Sequence, residues 1–145
     1  MAVSPAMRRL LHILNIQEEE CHAAVELAHA ELKRLEQALS SNVERERAGR
    51  RLLAASAASG DIADRIAAIE EAHLAKRIAA ALVPRIAELE TVANARQQEF
   101  LCKRIERRQA ETLIQEAEAL KDIEAGRRAQ RNLDDWFLSR GGGPV

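Results

Sequence analysis

From Pro5 onward the chain runs more than fifty residues without a strong helix breaker. Through that run, positions spaced alternately by three and four residues are mostly small or apolar. They are Leu11, Leu14, Glu18, Cys21, Val25, Ala28, Leu32, Leu35, Leu39, Asn42, Glu46, Gly49 and Leu53. Such spacing places one stripe along a helix and packs it against another helix, so this is a coiled-coil seam with polar interruptions. A strand cannot use it, because strand side chains alternate with period two. Composition agrees: Ala, Glu, Lys, Leu and Arg supply 85 of 145 residues, and there are one Trp, two Phe and no Tyr. That is the balance of long helices, without the aromatic and β-branched residues that fill strands and globular cores.

Ser4-Pro5 reads as a helix start, a capping hydroxyl followed by a residue preformed for the first turn. Ser59-Gly60-Asp61 is the next punctuation: Gly suits the left-handed residue that ends a helix, and Asp suits the cap of the following one. A second helical run follows, carrying the same spacing at Ala75, Ala79, Leu82, Ile86, Leu89, Ala93, Arg96 and Phe100. It is interrupted at Pro84, which removes an N–H and either kinks one helix or separates two; the spacing continues across it and favours the kink. The reading is therefore all-α: one domain over 1–145, a long antiparallel two-helix coiled-coil hairpin with helix 1 at about 5–58, helix 2 at about 61–139, and a flexible tail at 141–145.

Folding at Gly60-Asp61 brings residues level when their numbers total about 121. Leu32 then faces Leu89, Leu35 faces Ile86, Leu39 faces Leu82, Ala28 faces Ala93 and Cys21 faces Phe100. The same alignment levels Glu18 with Lys103, Lys33 with Glu88, Glu36 with Arg85, Glu44 with Arg77, Arg50 with Glu71 and Arg51 with Glu70, against two conflicts, Glu31 with Glu90 and Arg45 with Lys76. Helix 2 outruns helix 1 by about 28 residues, or roughly 40 Å at the α-helical rise. That overhang holds Leu113, Ala117, Leu120, Ile123, Leu133, Trp136 and Phe137, and it calls for a partner, because a lone helix is marginal in water.

The function classes narrow accordingly. Net charge is −1, from 22 basic and 23 acidic residues; nucleic-acid binders carry a basic surplus, so RNA and DNA are disfavoured. No apolar run approaches a membrane span, and the amino terminus lacks a signal-peptide cleavage pattern, which predicts a cytoplasmic protein, peripheral to a membrane at most. No phosphate loop, nucleophile elbow or other catalytic apparatus is visible; catalytic, metal and cofactor residues are expected to be none. His22 and His29 lie too far apart for one metal ion, and Cys21 and Cys102 read as small seam residues. Lys103 to Arg108 is basic, but the hairpin brings Glu18-Glu19-Glu20 nearby to neutralise it. Arg8 and Arg9, and Arg127, Arg128 and Arg131, have no evident acidic partners across the hairpin and are expected to dock on an acidic surface. Asp134-Asp135-Trp136-Phe137 is either a frayed end or a short docking motif, since acids near a helix C-terminus oppose its dipole.

A small charged hairpin with a longer second helix, beginning Met7-Arg8-Arg9-Leu10-Leu11-His12 and closing on an acidic-apolar segment, resembles the FliJ/YscO family of type III secretion and flagellar export. The high Ala and Arg content departs from that pattern. The resemblance implies a stalk at the cytoplasmic face of a secretion apparatus. Its ends, with Arg8, Arg9 and the overhang, would enter the secretion ATPase hexamer. Its tip, with Leu52, Leu53, Ile66 and Ile69, would reach the export gate protein, and export chaperones would be further partners. The alternative is a generic coiled-coil scaffold or chaperone that self-associates; the expected state is a monomer or weak homo-oligomer.

Overall fold

The structure, a computed structural model, describes residues 3–141. Two helices account for it, α1 (Pro5–Ser59) and α2 (Ile62–Gly141), with no strand among the described residues, and they pack as the expected antiparallel hairpin. Ser4 caps α1, its carbonyl and hydroxyl oxygens both accepting from the Met7 N–H, at 3.1 and 3.2 Å. At the turn Gly60 takes φ 74°, the left-handed conformation open to glycine, and its N–H donates to Ser56 O. Asp61 Oδ1 then accepts from Ala63 and Asp64, capping α2.

Pro84 does not divide the second helix, which runs continuously through it. Pro84 and Ala80, whose carbonyl loses its donor to the proline, are both exposed, so water can satisfy that oxygen. The helix also includes Gly141, one residue into the expected tail; residues 142–145 of that tail lie outside the described residues.

The contacts fall into two units. In Cys21–Phe100 the core centres on Leu35, Leu82 and Ile86, with Leu32, Leu39, Ile78 and Leu89 against it. Toward the turn the seam becomes small: Gly49 on α1 lies against Ala68 and Ala72 on α2, and Ser56, Ala75 and Ala79 are buried along the same seam. Asn42 in this seam is satisfied, its Nδ2 donating to Ala38 O and its Oδ1 accepting from Arg45. In the unit of Met1–Glu20 with Leu101–Val145 the buried apolar residues are Leu14, Ala110 and Ile114.

Writing the repeat as abcdefg, with Leu11 and Ile86 at a, every buried residue of both helices falls on a or d. The core pairing by numbers totalling 121 agrees with Leu35 packing in one cluster with Ile86 and with Gly49 lying against Ala72. The charge pairing does not hold. Arg45 bonds Glu71 at 2.5 Å and Arg85 lies within electrostatic reach of Glu31; both pairs total 116 and join g to g. Arg8 approaches Glu118 at 3.9 Å, totalling 126 and joining e to e. In an antiparallel pair the two g flanks lie on one side of the seam and the two e flanks on the other, so ionic partners sit about five residues off the core layer. Glu36 and Arg85, expected to pair, occupy opposite flanks, as do Arg50 and Glu71. Glu31 with Glu90 and Arg45 with Lys76 are no conflicts for the same reason. Arg50 instead bonds Glu46, Arg51 bonds Glu44 and Lys103 bonds Glu106, each within its own helix. Arg34, hydrogen-bonded to Glu31 at 2.6 Å, holds that carboxyl below its ordinary value, with a smaller lowering from Arg85.

One ionic group occupies the seam itself. Glu18 and Arg107, both at a, are bonded to each other, and Arg107 also bonds Glu111 at 2.8 Å. The side chains of Glu18 and Arg107 are only 16% and 19% exposed. The two carboxylates hold the guanidinium protonated above its ordinary range, the Glu18 hydrogen bond acting most strongly. Removing one member leaves a charge in the seam, whereas replacing both by leucine refills it with apolar volume. The expected result is a lower thermal midpoint for Glu18→Leu and for Arg107→Leu alone, and a midpoint at or above wild type for the double variant, read by circular dichroism. A double variant as unstable as the worse single one would overturn this.

Candidate functional site: the exposed length of the second helix

α1 shields α2 as far as Ala117, the last half-buried residue on the seam. From Glu118 to Gly141 all twenty-four residues are exposed. The heptad positions that face α1 lower down change character here: the next ones are Lys121, Glu124, Arg128, Arg131 and Asp135. The next after these, Leu138, is apolar, but the other large apolar residues lie off that face. Leu120, Ile123, Leu133, Trp136, Phe137 and Leu138 stand 55%, 52%, 49%, 48%, 59% and 74% exposed, a density of uncovered large side chains that a stable free surface rarely carries.

The end of the helix is an ordered cluster. The rings of Trp136 and Phe137 meet edge to face with centroids 5.1 Å apart, the guanidinium of Arg140 lies 4.5 Å over Trp136, and Ser139 Oγ donates to Trp136 O at 2.8 Å. Gln130 Nε2 donates to Asp134 Oδ1 at 3.0 Å. The Asp134-Asp135-Trp136-Phe137 segment is thus helical throughout, and Arg140 supplies the C-terminal cation that offsets its two acids.

The other expected binding residues sort by place. Arg127, Arg128 and Arg131 are exposed on the same length of helix. Arg8 reaches that length from α1, and its contact with Glu118 corrects the expectation that it has no acidic partner. Arg9 donates its Nε to Pro5 O at 3.4 Å, within its own first turn. Leu52, Ile66 and Ile69, in the other unit, are exposed at 54%, 52% and 40%, while Leu53 is half-buried in the seam. The basic run is partly neutralised as expected, though through Arg107 rather than Lys103. Upstream of the bare length, Ile105, Gln109, Thr112 and Leu113 with Arg108 and Glu116 line a shallow groove on α2.

Neither histidine nor cysteine builds a further site. His22 meets Phe100 with tilted rings, centroids 5.2 Å apart, and approaches Glu26 at 3.7 Å; Cys21 and Cys102 are free thiols. Among the described residues no cluster of His, Cys, Asp or Glu could hold a metal ion, and no helix is long and apolar enough to cross a membrane.

One pattern is easily passed over in the sequence. Glu116, Ala119, Ile123, Gly126, Gln130, Leu133, Phe137 and Arg140 follow one another at spacings of three, four, three, four, three, four and three. This is a second repeat, carried on the c and f positions opposite the α1-facing seam. Its signal is the spacing, which the first seam's stronger leucine pattern obscures. Comparison with protein-family models, with curated proteins and with solved structures finds no match to this chain.

Proposed function

We propose that this chain is a binding protein that performs no chemistry of its own, and that it serves as the coiled-coil stalk of an export ATPase at the cytoplasmic face of a type III secretion apparatus. The observation carrying the binding role is the run of twenty-four exposed residues from Glu118 to Gly141 with its uncovered Trp136, Phe137 and Leu138. A helix of this length is stabilised mainly by packing its apolar stripe on something else. The choice of partner follows the resemblance to FliJ/YscO proteins: the bare end of α2 and Arg8 enter the secretion ATPase hexamer, and the tip around Leu52, Ile66 and Ile69 reaches the export gate and export chaperones.

The test is addition of the purified chain to its cognate ATPase. The expected result is increased hydrolysis or hexamer assembly, and an affinity reduced about tenfold or more by replacing Trp136 and Phe137 with alanine, since buried aromatic anchors carry the largest share of interface energy. An ATPase whose activity and assembly do not respond to a stoichiometric excess of this chain would remove the stalk reading. A second reading, a self-associating coiled-coil scaffold, is favoured by the repeat running from Glu116 to Arg140.

A further inference from the structure

We propose that the bare length of α2 is an antiparallel dimerisation surface, occupied by the same length of a second copy of this chain. This deepens the self-association reading and does not depend on the stalk reading, whose ATPase would compete with the second copy for this length of helix. In the second repeat Ile123, Gln130 and Phe137 take one core position, and Ala119, Gly126 and Leu133 take the other. Antiparallel helices pair these two kinds of position in layers whose numbers total a constant. A total of 256 pairs Phe137 with Ala119, Gln130 with Gly126 and Ile123 with Leu133, each layer occurring twice about a two-fold axis near Arg128. Two of the three layers set a large side chain against a small one, which close packing requires. Nothing stands within 4 Å of where a Gly126 side chain would begin, so a glutamine from the second copy has room to lie there.

The charges select the same register. At the ends of the repeat the layer is Glu116 against Arg140, again twice. On the flank, the five-residue offset seen in the hairpin places Arg127 of one copy beside Asp134 of the other, because these numbers total 261. Sliding by seven residues to a total of 249 sets Arg127 against Arg127, and to 263 sets Asp134 against Asp134. A parallel pair would stack Glu116 on Glu116 and Arg140 on Arg140. Only the antiparallel pair totalling 256 satisfies core and charge together. Its four chain-end and flank groups are all exposed. Asp134 now accepts from Gln130 of its own helix and Arg140 rests on Trp136, contacts that cost little to re-aim. The face lies opposite the one directed at α1, so the hairpin need not open.

The register gives the test. Sedimentation equilibrium of the full chain, under reducing conditions that exclude disulfides through Cys21 and Cys102, is expected to show a dimer at tens of micromolar. Arg127→Asp alone, and Asp134→Arg alone, each place two like-charged pairs at the interface and weaken the dimer about tenfold or more. The double variant exchanges the charges and restores the wild-type dissociation constant within about threefold. These are surface changes, and unaltered helicity by circular dichroism shows that each variant folds. A chain that stays monomeric at 100 micromolar overturns the proposal. So does a double variant no tighter than the single ones, the result of a parallel pair, in which Arg127 lies beside Asp122 of the second copy instead of Asp134. Because no ATPase is present, failure here leaves the stalk reading standing, and a silent ATPase leaves the dimer standing.

Discussion

Leu35→Ala is expected to lower the stability of the hairpin by about 3 kcal/mol, the usual cost of deleting a buried leucine together with the cavity left behind. At this chain length that corresponds to a fall of roughly 10 °C in thermal midpoint. Leu35 is 4% exposed and packs with Leu82 and Ile86, the only cluster of large buried side chains among the described residues. A hairpin of two helices has no second layer to close such a gap, since every neighbour of the seam is either the facing helix or solvent. Leu27→Ala is the control: Leu27 is 74% exposed and its loss should stay within about 0.5 kcal/mol of wild type. Equal shifts for the two variants in thermal or urea unfolding would mean that the register placing Leu35 between Leu82 and Ile86 is wrong.

How legible that register is in the sequence depends on the type of interaction. The apolar layers follow from spacing alone, because burial is a matter of which side of the helix a residue occupies, and a stripe at intervals of three and four defines one side. The turn follows too, since Gly60 and Asp61 are chemically suited to the two caps they form. Ion pairs mislead because being level is not the same as facing. Glu36 and Arg85 are level but sit on opposite flanks, and it is Arg45 and Glu71, five residues off the core layer, that bond. Sequence numbers along a helix give height well; they give azimuth only when the heptad position of both partners is carried through.

The same distinction explains what sequence reasoning misses in the candidate site. By height alone the overhang's apolar residues form one stripe from Leu113 to Phe137, continuing the seam. By azimuth they form separate rows: Ala117 closes the seam that faces α1, Leu113 and Leu120 lie on its g flank, and Ile123, Leu133 and Phe137 belong to the opposite face. Where α1 stops covering α2, the old seam becomes Lys121, Glu124, Arg128, Arg131 and Asp135 before Leu138 ends it. A helix that only extended the first seam would have kept it apolar. The switch of faces is what makes the end of α2 a surface of its own.

Gly49→Leu is expected to cost about 2–3 kcal/mol, a loss set by overpacking rather than by a cavity. Glycine inside a helix is ordinarily a weakness of about 1 kcal/mol relative to alanine, so its place in the middle of α1 needs a compensating reason. Its surroundings supply one. A side chain begun at Gly49 would start 3.0 Å from the Ala72 methyl, 3.2 Å from the Ala68 carbonyl oxygen and 3.3 Å from the Ala72 Cα. Two of those three neighbours are backbone and cannot turn aside as a flexible side chain would. The facing residues Ala68, Ala72, Ala75 and Ala79 are all small and buried, so the two helices pack closely there because nothing larger than a methyl holds them apart. Leucine at position 49 must push α1 away from α2 and uncover these alanines on both sides. Pairing Gly49→Ala with Ala72→Gly moves the methyl across the seam without adding volume, and should unfold closer to wild type than Gly49→Leu does. Urea denaturation of the two variants beside wild type decides it: a Gly49→Leu protein with the wild-type midpoint would show that the alanine seam has slack, and that close approach is not what keeps a glycine at this position.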